Sequence, residues 1–411
     1  MGPVASTIFT QLRAGDFLDR ARIRRIAVIF VALSVVAVMA LFATSNGFKD
    51  ATGRPLGADY ISFYTAGKVA LKDGAGAAYD QELLYHEHQQ LLQEPAPPFW
   101  PFLYPPVYIF LAMALASLPY LAGWLGWMGS TLALYVGAMQ KIAPGRYAAF
   151  LALAFPAVLS NFLHGQNAFL LTALFAAATY LLSQGRGILA GVAFGLLSIK
   201  PQYGVLIPIA LAASGQWRAI IAAAVTVALV AAAPAIAFGP GIWGLFVQNT
   251  ADARHIIVEQ GAIGFEKIQS IFSQMRMLDM PVYAAYAAQG AMMLLCAVFV
   301  FRLWRGDAPY DLKAAGLIVA SLLATPYALD YDMVILAPAI AYLVRDGEMR
   351  GYMPFDRSML LFAALSPAFT RAVASVTLFS TGLIAMILLL LIVERRRTEQ
   401  SSFVRSPARL D

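Results

Sequence analysis

Charge is scarce in this chain. Only 13% of its residues are Asp, Glu, Lys or Arg and 60% are apolar, where an average soluble domain is roughly a quarter charged and half apolar. Mean hydropathy is +0.69. That balance excludes a string of ordinary soluble domains, although 411 residues would suffice for two or three. Cysteine is nearly absent. The single one, Cys296, lies inside an apolar run, which excludes a disulfide-stapled secreted scaffold. A Walker loop, a Rossmann glycine pattern, a nucleophile elbow and an HExxH motif are all missing, and with them the common soluble nucleotide, hydrolase and zinc-protease chemistries. The four histidines, His86, His88, His164 and His255, lack metal-ligand spacing. His86 and His88, two apart, would point to different sides of a helix. No metal site and no cofactor is therefore expected. A pI near 9.3 could signal nucleic acid, but the basic residues are scattered over short loops, as membrane topology requires. No nucleic-acid partner is expected.

What the chain has instead is long uncharged runs, and the expected class is an all-α polytopic membrane protein. Five arginines between Arg13 and Arg25 precede an apolar run from Ile26 to about Ala43. No small-residue cleavage site follows it, so it is expected to stay as a first spanning helix. The segment 44–102 has mixed polarity and two helical stretches, Tyr60 to Leu71 and the amphipathic Gln81 to Gln93, both of the interfacial kind. Further apolar runs lie near 104–118, 120–140, 147–163, 168–183, 187–199, 203–213, 219–238, 281–301, 312–326, 332–344, 358–371 and 373–393. Several are too short to cross about 30 Å of hydrocarbon upright. Placing both termini in the cytoplasm puts 20 of the 29 Lys and Arg residues on that side, against 10 of the 23 acidic ones, in accord with the positive-inside rule. Two cytoplasmic termini require an even number of crossings. About 12 spans result, with one of the two segments in 104–140 re-entrant or the pair wrongly divided. The expected divisions are a cytoplasmic tail 1–25, a membrane domain 26–393 with 44–102 external, and a cytoplasmic tail 394–411.

On this topology polar residues collect on the external face. Asp59 follows the first span and opens a helix. It is either an N-cap or a carboxylate acting as general base at the membrane surface. Lys200 interrupts an apolar stretch before Pro201. It snorkels, or it faces a partner or a lipid phosphate, to which Gln202 adds a hydrogen bond. His164, Gln166 and Asn167 form a polar turn that is an ordinary loop or a substrate contact. Asp330 and Asp332 flank Tyr331. They begin the next helix, where the macrodipole favours negative charge, or they serve acid/base work or hold a cation.

The order of these patches resembles a family. The Asp59 to Gly67 segment is followed by Gly74 to Tyr79-Asp80, Tyr104-Pro105-Pro106 and Gly165-Gln166-Asn167. Lys200-Pro201-Gln202, Gln269-Ser270 and Pro326 to Tyr331-Asp332 complete the series. The series is similar to the bacterial family-87 glycosyltransferases over residues 57 to 345, a family once grouped as a domain of unknown function. The resemblance implies a GT-C fold, a polyprenyl-phosphate sugar as donor, usually mannose, and transfer on the external face of a bacterial inner membrane. It also implies an aspartate base after the first helix, which maps onto Asp59. With the motifs taken as one site, Tyr60, Tyr64, His164, Gln166, Asn167, Gln269, Tyr327, Asp330 and Asp332 are expected to bind substrates, and Lys200 and Gln202 the donor phosphate. Mycobacterial members carry a histidine near the late loop, where this chain has Tyr327 and the Asp330/Asp332 pair.

The chemistry fits such an enzyme. Nucleotide sugars are cytoplasmic, so an outward-facing transferase needs a lipid-carried donor. Its phosphate leaving group calls for a nearby cation, and the hydroxyl of a glycolipid or glycan acceptor calls for a carboxylate. A single displacement would invert the anomeric centre without a metal. The rivals are a secondary transporter or flippase and a non-catalytic lipid-binding scaffold. A transporter would normally show repeat symmetry and midplane ionisable groups, and neither is evident.

Overall fold

The computed structural model describes residues 3–145 and 147–405. Residues 1–2, Arg146 and 406–411, which carry part of the tail and loop charges counted above, lie outside the described residues. The first half of the chain forms α1 (Pro3–Ala14), α2 (Arg20–Thr44), α3 (Tyr60–Asp73), α4 (Gln81–Leu92), α5 (Tyr108–Ala116), α6 (Tyr120–Ile142), α7 (Ala148–Leu153), α8 (Pro156–His164), α9 (Ala168–Ser183) and α10 (Gly187–Leu196). The second half forms α11 (Ile207–Ala213), α12 (Trp217–Phe238), α13 (Ile242–Ala253), α14 (Ile271–Met277), α15 (Val282–Arg305), α16 (Tyr310–Leu323), α17 (Leu336–Arg350), α18 (Asp356–Leu365), α19 (Thr370–Thr377) and α20 (Thr381–Arg405). Only isolated β-bridges occur besides helices among the described residues.

Among the described residues three helices, α2, α12 and α15, are long and apolar enough to cross a membrane. Their apolar side chains face outward: Val28, Leu33, Val36 and Met39 on α2, Ile221, Val225 and Leu229 on α12, Leu294, Leu295 and Val298 on α15. Apolar belts of this extent would aggregate in water, and lipid is the solvent that suits them. The protein is a membrane protein. By contrast α16 is buried almost all round, between α15, α17 and α20.

Close helix contacts rest on small residues, as in other membrane bundles. Gly191 and Gly195 of α10 lie one turn apart against α12, where an added Cβ would meet the Ala219 carbonyl at 2.3 Å and Thr226 Cβ at 2.6 Å.

The apolar runs and the helices differ where a residue breaks the backbone. The 147–163 run divides at Pro156, which opens α8. The run 373–393 is not one helix: Leu378 adopts φ 63° and separates α19 from α20. The 104–118 run shortens to the nine residues of α5, packed on α3. The N-terminal tail contains a helix, α1, whose Phe9 ring meets Phe355 edge-on at 5.5 Å.

Loops gather at two ends of the bundle. At one, Tyr120 donates to the Leu56 carbonyl, Asn249 to that of Phe102, and the Gln269 amide to that of Ala328. At the other, Arg345 reaches Asp311 and the Ile142 carbonyl, and Arg396 clamps Asp346 and Asp356. Helices α6, α9 and α17 run from one end to the other. The polar residues singled out above lie at the first end.

Candidate active site

Asp59 stands immediately before α3, yet its side chain makes no capping bond. The contrast with Asp80 is direct, since that carboxylate accepts from the backbone N–H groups of Glu82 and Leu83 at 3.0 Å each. Asp59 is held from elsewhere. Its backbone N–H donates to the His164 carbonyl at 2.9 Å. Its Oδ2 accepts from Gln166 Nε2 at 3.0 Å, and Gln166 Oε1 accepts from the Tyr104 hydroxyl at 2.7 Å. The phenol therefore fixes which way the amide faces, leaving NH2 toward the carboxylate. Tyr104 is itself stacked on Tyr108 at 4.5 Å, and its carbonyl accepts from Tyr79 at 2.8 Å.

A glycine makes this approach possible. Gly165 ends α8 at φ +69°, and a Cβ there would lie 2.6 Å from Tyr60 Cβ. Only glycine allows both the left-handed turn and the contact with α3.

Lys200 lies in the break between α10 and α11. Its ammonium donates to both oxygens of Asp332, at 2.7 and 2.9 Å, and the pair is buried. Asp332 Oδ2 also accepts from the Leu329 N–H at 3.1 Å. The Lys200 nitrogen lies 5.4 Å from the centre of the Tyr203 ring and 5.6 Å from that of Tyr331. Burial first, and then the charges of both Asp59 and Asp332 among other neighbours, push the Tyr327 and Tyr331 hydroxyls above the ordinary phenol range.

Asp330 lies beside this pair, with one oxygen accepting from the Tyr331 N–H at 2.8 Å. Burial raises its carboxyl above the usual carboxylate range, while His164, Arg371 and Lys267 pull it down. The His164 ring sits 5.3 Å from that of Tyr331, and its Nδ1 lies 2.8 Å from the Ser160 carbonyl oxygen.

Asp59, His164, Gln166, Lys200, Tyr327, Asp330 and Asp332 thus come together from four separate stretches. Asn167 is buried directly after Gln166. Gln202 is half-buried in the 3-10 turn Pro201–Tyr203. The remaining expected residues are held by contacts of their own. Gln269 Oε1 accepts from Thr370 at 2.8 Å and from Ser380 at 2.5 Å, tying the loop before α14 to α19 and α20. Tyr64 donates to the Leu118 carbonyl at 3.2 Å, and Tyr60 packs edge-on against Tyr120. Lys200, expected to snorkel or to face a partner or a lipid phosphate, has Asp332 as a partner. Sequence reasoning gave no site role to Tyr104, Lys267 or Arg371. Arg371 carried a signal, as a lone cation closing the 358–371 run.

A family model described as glycosyltransferase family 87 matches residues 102–326, more than half of the chain. The match contains Tyr104, Gln166, Lys200 and Gln269, while Asp59 and Asp332 fold in from either side of it. No curated protein and no solved structure matches the chain.

Proposed function

The chain belongs to glycosyltransferase family 87 and is a membrane glycosyltransferase, and on that premise we propose that Asp59 is its general base, acting on a polyprenyl-phosphate sugar, mannose, at the external face of a bacterial inner membrane. The observation that carries this reading is the Tyr104–Gln166–Asp59 chain of hydrogen bonds. It holds a half-buried carboxylate that caps nothing, and a base must be both oriented and free to accept a proton. The acceptor is a glycolipid or envelope glycan. Its hydroxyl oxygen bonds to the anomeric carbon as the proton passes to Asp59. The bond from that carbon to the phosphate oxygen breaks, the electron pair leaves with the phosphate, and the centre inverts.

The proposed topology has both termini cytoplasmic, with α2, α6, α7–α8, α9, α10, α11, α12, α15, α16, α17, α18 and α20 as twelve crossings. Helix α5 is assigned no crossing because it packs on α3, which lies in the external segment 44–102. The proposed membrane domain is 26–393, flanked by tails 1–25 and 394–411. The two-ended gathering of loops supports this assignment.

The test is transfer of labelled mannose from polyprenyl-phosphate mannose in proteoliposomes holding the purified protein. Transfer that disappears in Asp59→Asn supports the reading. Substrate flux with no glycosidic product would favour a transporter or flippase instead.

A further inference from the structure

The transferase reading leaves one task without a residue, which is to receive the charge of the departing phosphate. With Lys200 already neutralised, the cations to consider are those around Asp330. Lys267 directly precedes Ile268, which forms an antiparallel bridge with Leu329, the neighbour of Asp330. Arg371 directly follows Thr370, whose hydroxyl meets the Gln269 side chain. The turn Phe265–Lys267 packs against α19. Lys267 and Arg371 are thereby brought near Asp330 from two elements, and the His164 ring, 5.3 Å from that of Tyr331, is also near it. Lys267 is half-buried and Arg371 exposed, and neither side chain forms a salt bridge among the described residues. Two cations facing one buried carboxylate leave an excess of positive charge. A cation in the first turn of a helix such as α19 gains nothing from the helix dipole. Immediately beyond, Val376, Leu378 and Phe379 are exposed, an apolar surface suited to an isoprenoid chain.

Resting on that transferase reading, we infer that Lys267 and Arg371 form the anion site for the phosphate of the polyprenyl-phosphate donor, with His164 between them and Asp59. An inverting displacement requires base and leaving group on opposite sides of the sugar, and in this proposal the sugar lies between Asp59 and the two cations. The phosphate that departs gains charge as the bond to the anomeric carbon breaks, and fixed cations at that position stabilise the transition state more than the bound donor.

The experiment is equilibrium binding of three probes to purified protein: a short-chain polyprenyl phosphate, the same polyprenol without phosphate, and phosphatidylinositol. Lys267→Gln and Arg371→Gln are each expected to weaken polyprenyl phosphate by about tenfold or more. The alcohol should bind unchanged, and Lys72→Gln, an exposed lysine on α3, should behave as wild type. Undiminished binding of polyprenyl phosphate by both variants would overturn the inference. Loss confined to phosphatidylinositol would overturn it too, because the cations would then serve an acceptor headgroup. Neither result depends on Asp59. If Asp59→Asn transfers sugar at the wild-type rate, the assignment of Asp59 as base fails whatever these titrations give, and if the wild type makes no glycosidic product the transferase reading fails.

Discussion

At the scale of single residues, the structure separates two aspartates that look alike in sequence. Asp59 and Asp80 both precede helices, but only Asp80 caps one. Asparagine remains a good N-cap and cannot take up a proton at neutral pH. Asp59→Asn should therefore fold normally and lose about 10²–10⁴ in transfer rate, whereas Asp80→Asn should keep both fold and rate. Steady-state transfer together with thermal unfolding in detergent checks both. Gln166→Leu removes the group that orients the base, and a kcat loss of about tenfold or more is expected with donor binding retained. An unchanged kcat would show that Asp59 needs no such support. The residues of this site were legible one at a time, because polar groups stand out in an apolar chain. Their partnerships were not. Gln166 lies 107 positions from Asp59, and Lys200 lies 132 from Asp332, and no local pattern encodes pairs so distant. That is why the partner of Lys200 could not be named from sequence.

At the scale of elements, the Lys200–Asp332 pair ties the α10–α11 break to the loop before α17. Removing one partner of a buried pair leaves the other charged and unmatched, at a cost of about 3–5 kcal/mol. Lys200→Met should lower the Tm sharply, and adding Asp332→Leu should restore much of it. A Tm unaffected by Lys200→Met would mean that the pair contributes no stability. The segment 44–102 carries its own pH dependence. His88 of α4 is buried, with one ring nitrogen 3.1 Å from the Thr65 hydroxyl, and burial lowers its pKa from 6.5 to about 4. The unfolded segment then binds more protons than the folded one between those values, so stability falls as pH drops through that window. Hydrogen exchange of α3 and α4 should quicken between pH 6.5 and 4 in the wild type and vary less in His88→Phe. Most helices were legible from apolar runs: α9 spans the expected 168–183, and α3 and α4 fall within two residues of expectation. The misses have physical causes. A run of apolar residues continues through Leu378 because hydropathy does not sense a backbone that turns left-handed. The isolation of α16 from lipid is equally invisible, since a helix core is as apolar as a membrane.

At the scale of the whole molecule, the separation of the site from the Arg396–Asp346–Asp356 cluster predicts accessibility. Cysteines introduced at Thr52 or Asp73 in a Cys296→Ala background should react with an impermeant thiol reagent in intact spheroplasts, while one at Arg350 should react only after lysis. The reverse pattern would invert the topology and remove the argument for a lipid-carried donor. The outward face of α2 has another consequence. Apart from Ala27, which is buried, Leu41, which packs on the core, Phe42, whose ring lies 5.9 Å from that of Trp124, and a contact with α7, the apolar part of this helix is largely exposed to lipid, which recognises no particular shape. Selection then acts on its length and oiliness rather than on its letters. Related chains should be able to exchange this helix wholesale, and its sequence should drift faster than that of α16, where every neighbour is protein and each methyl group has an assigned place.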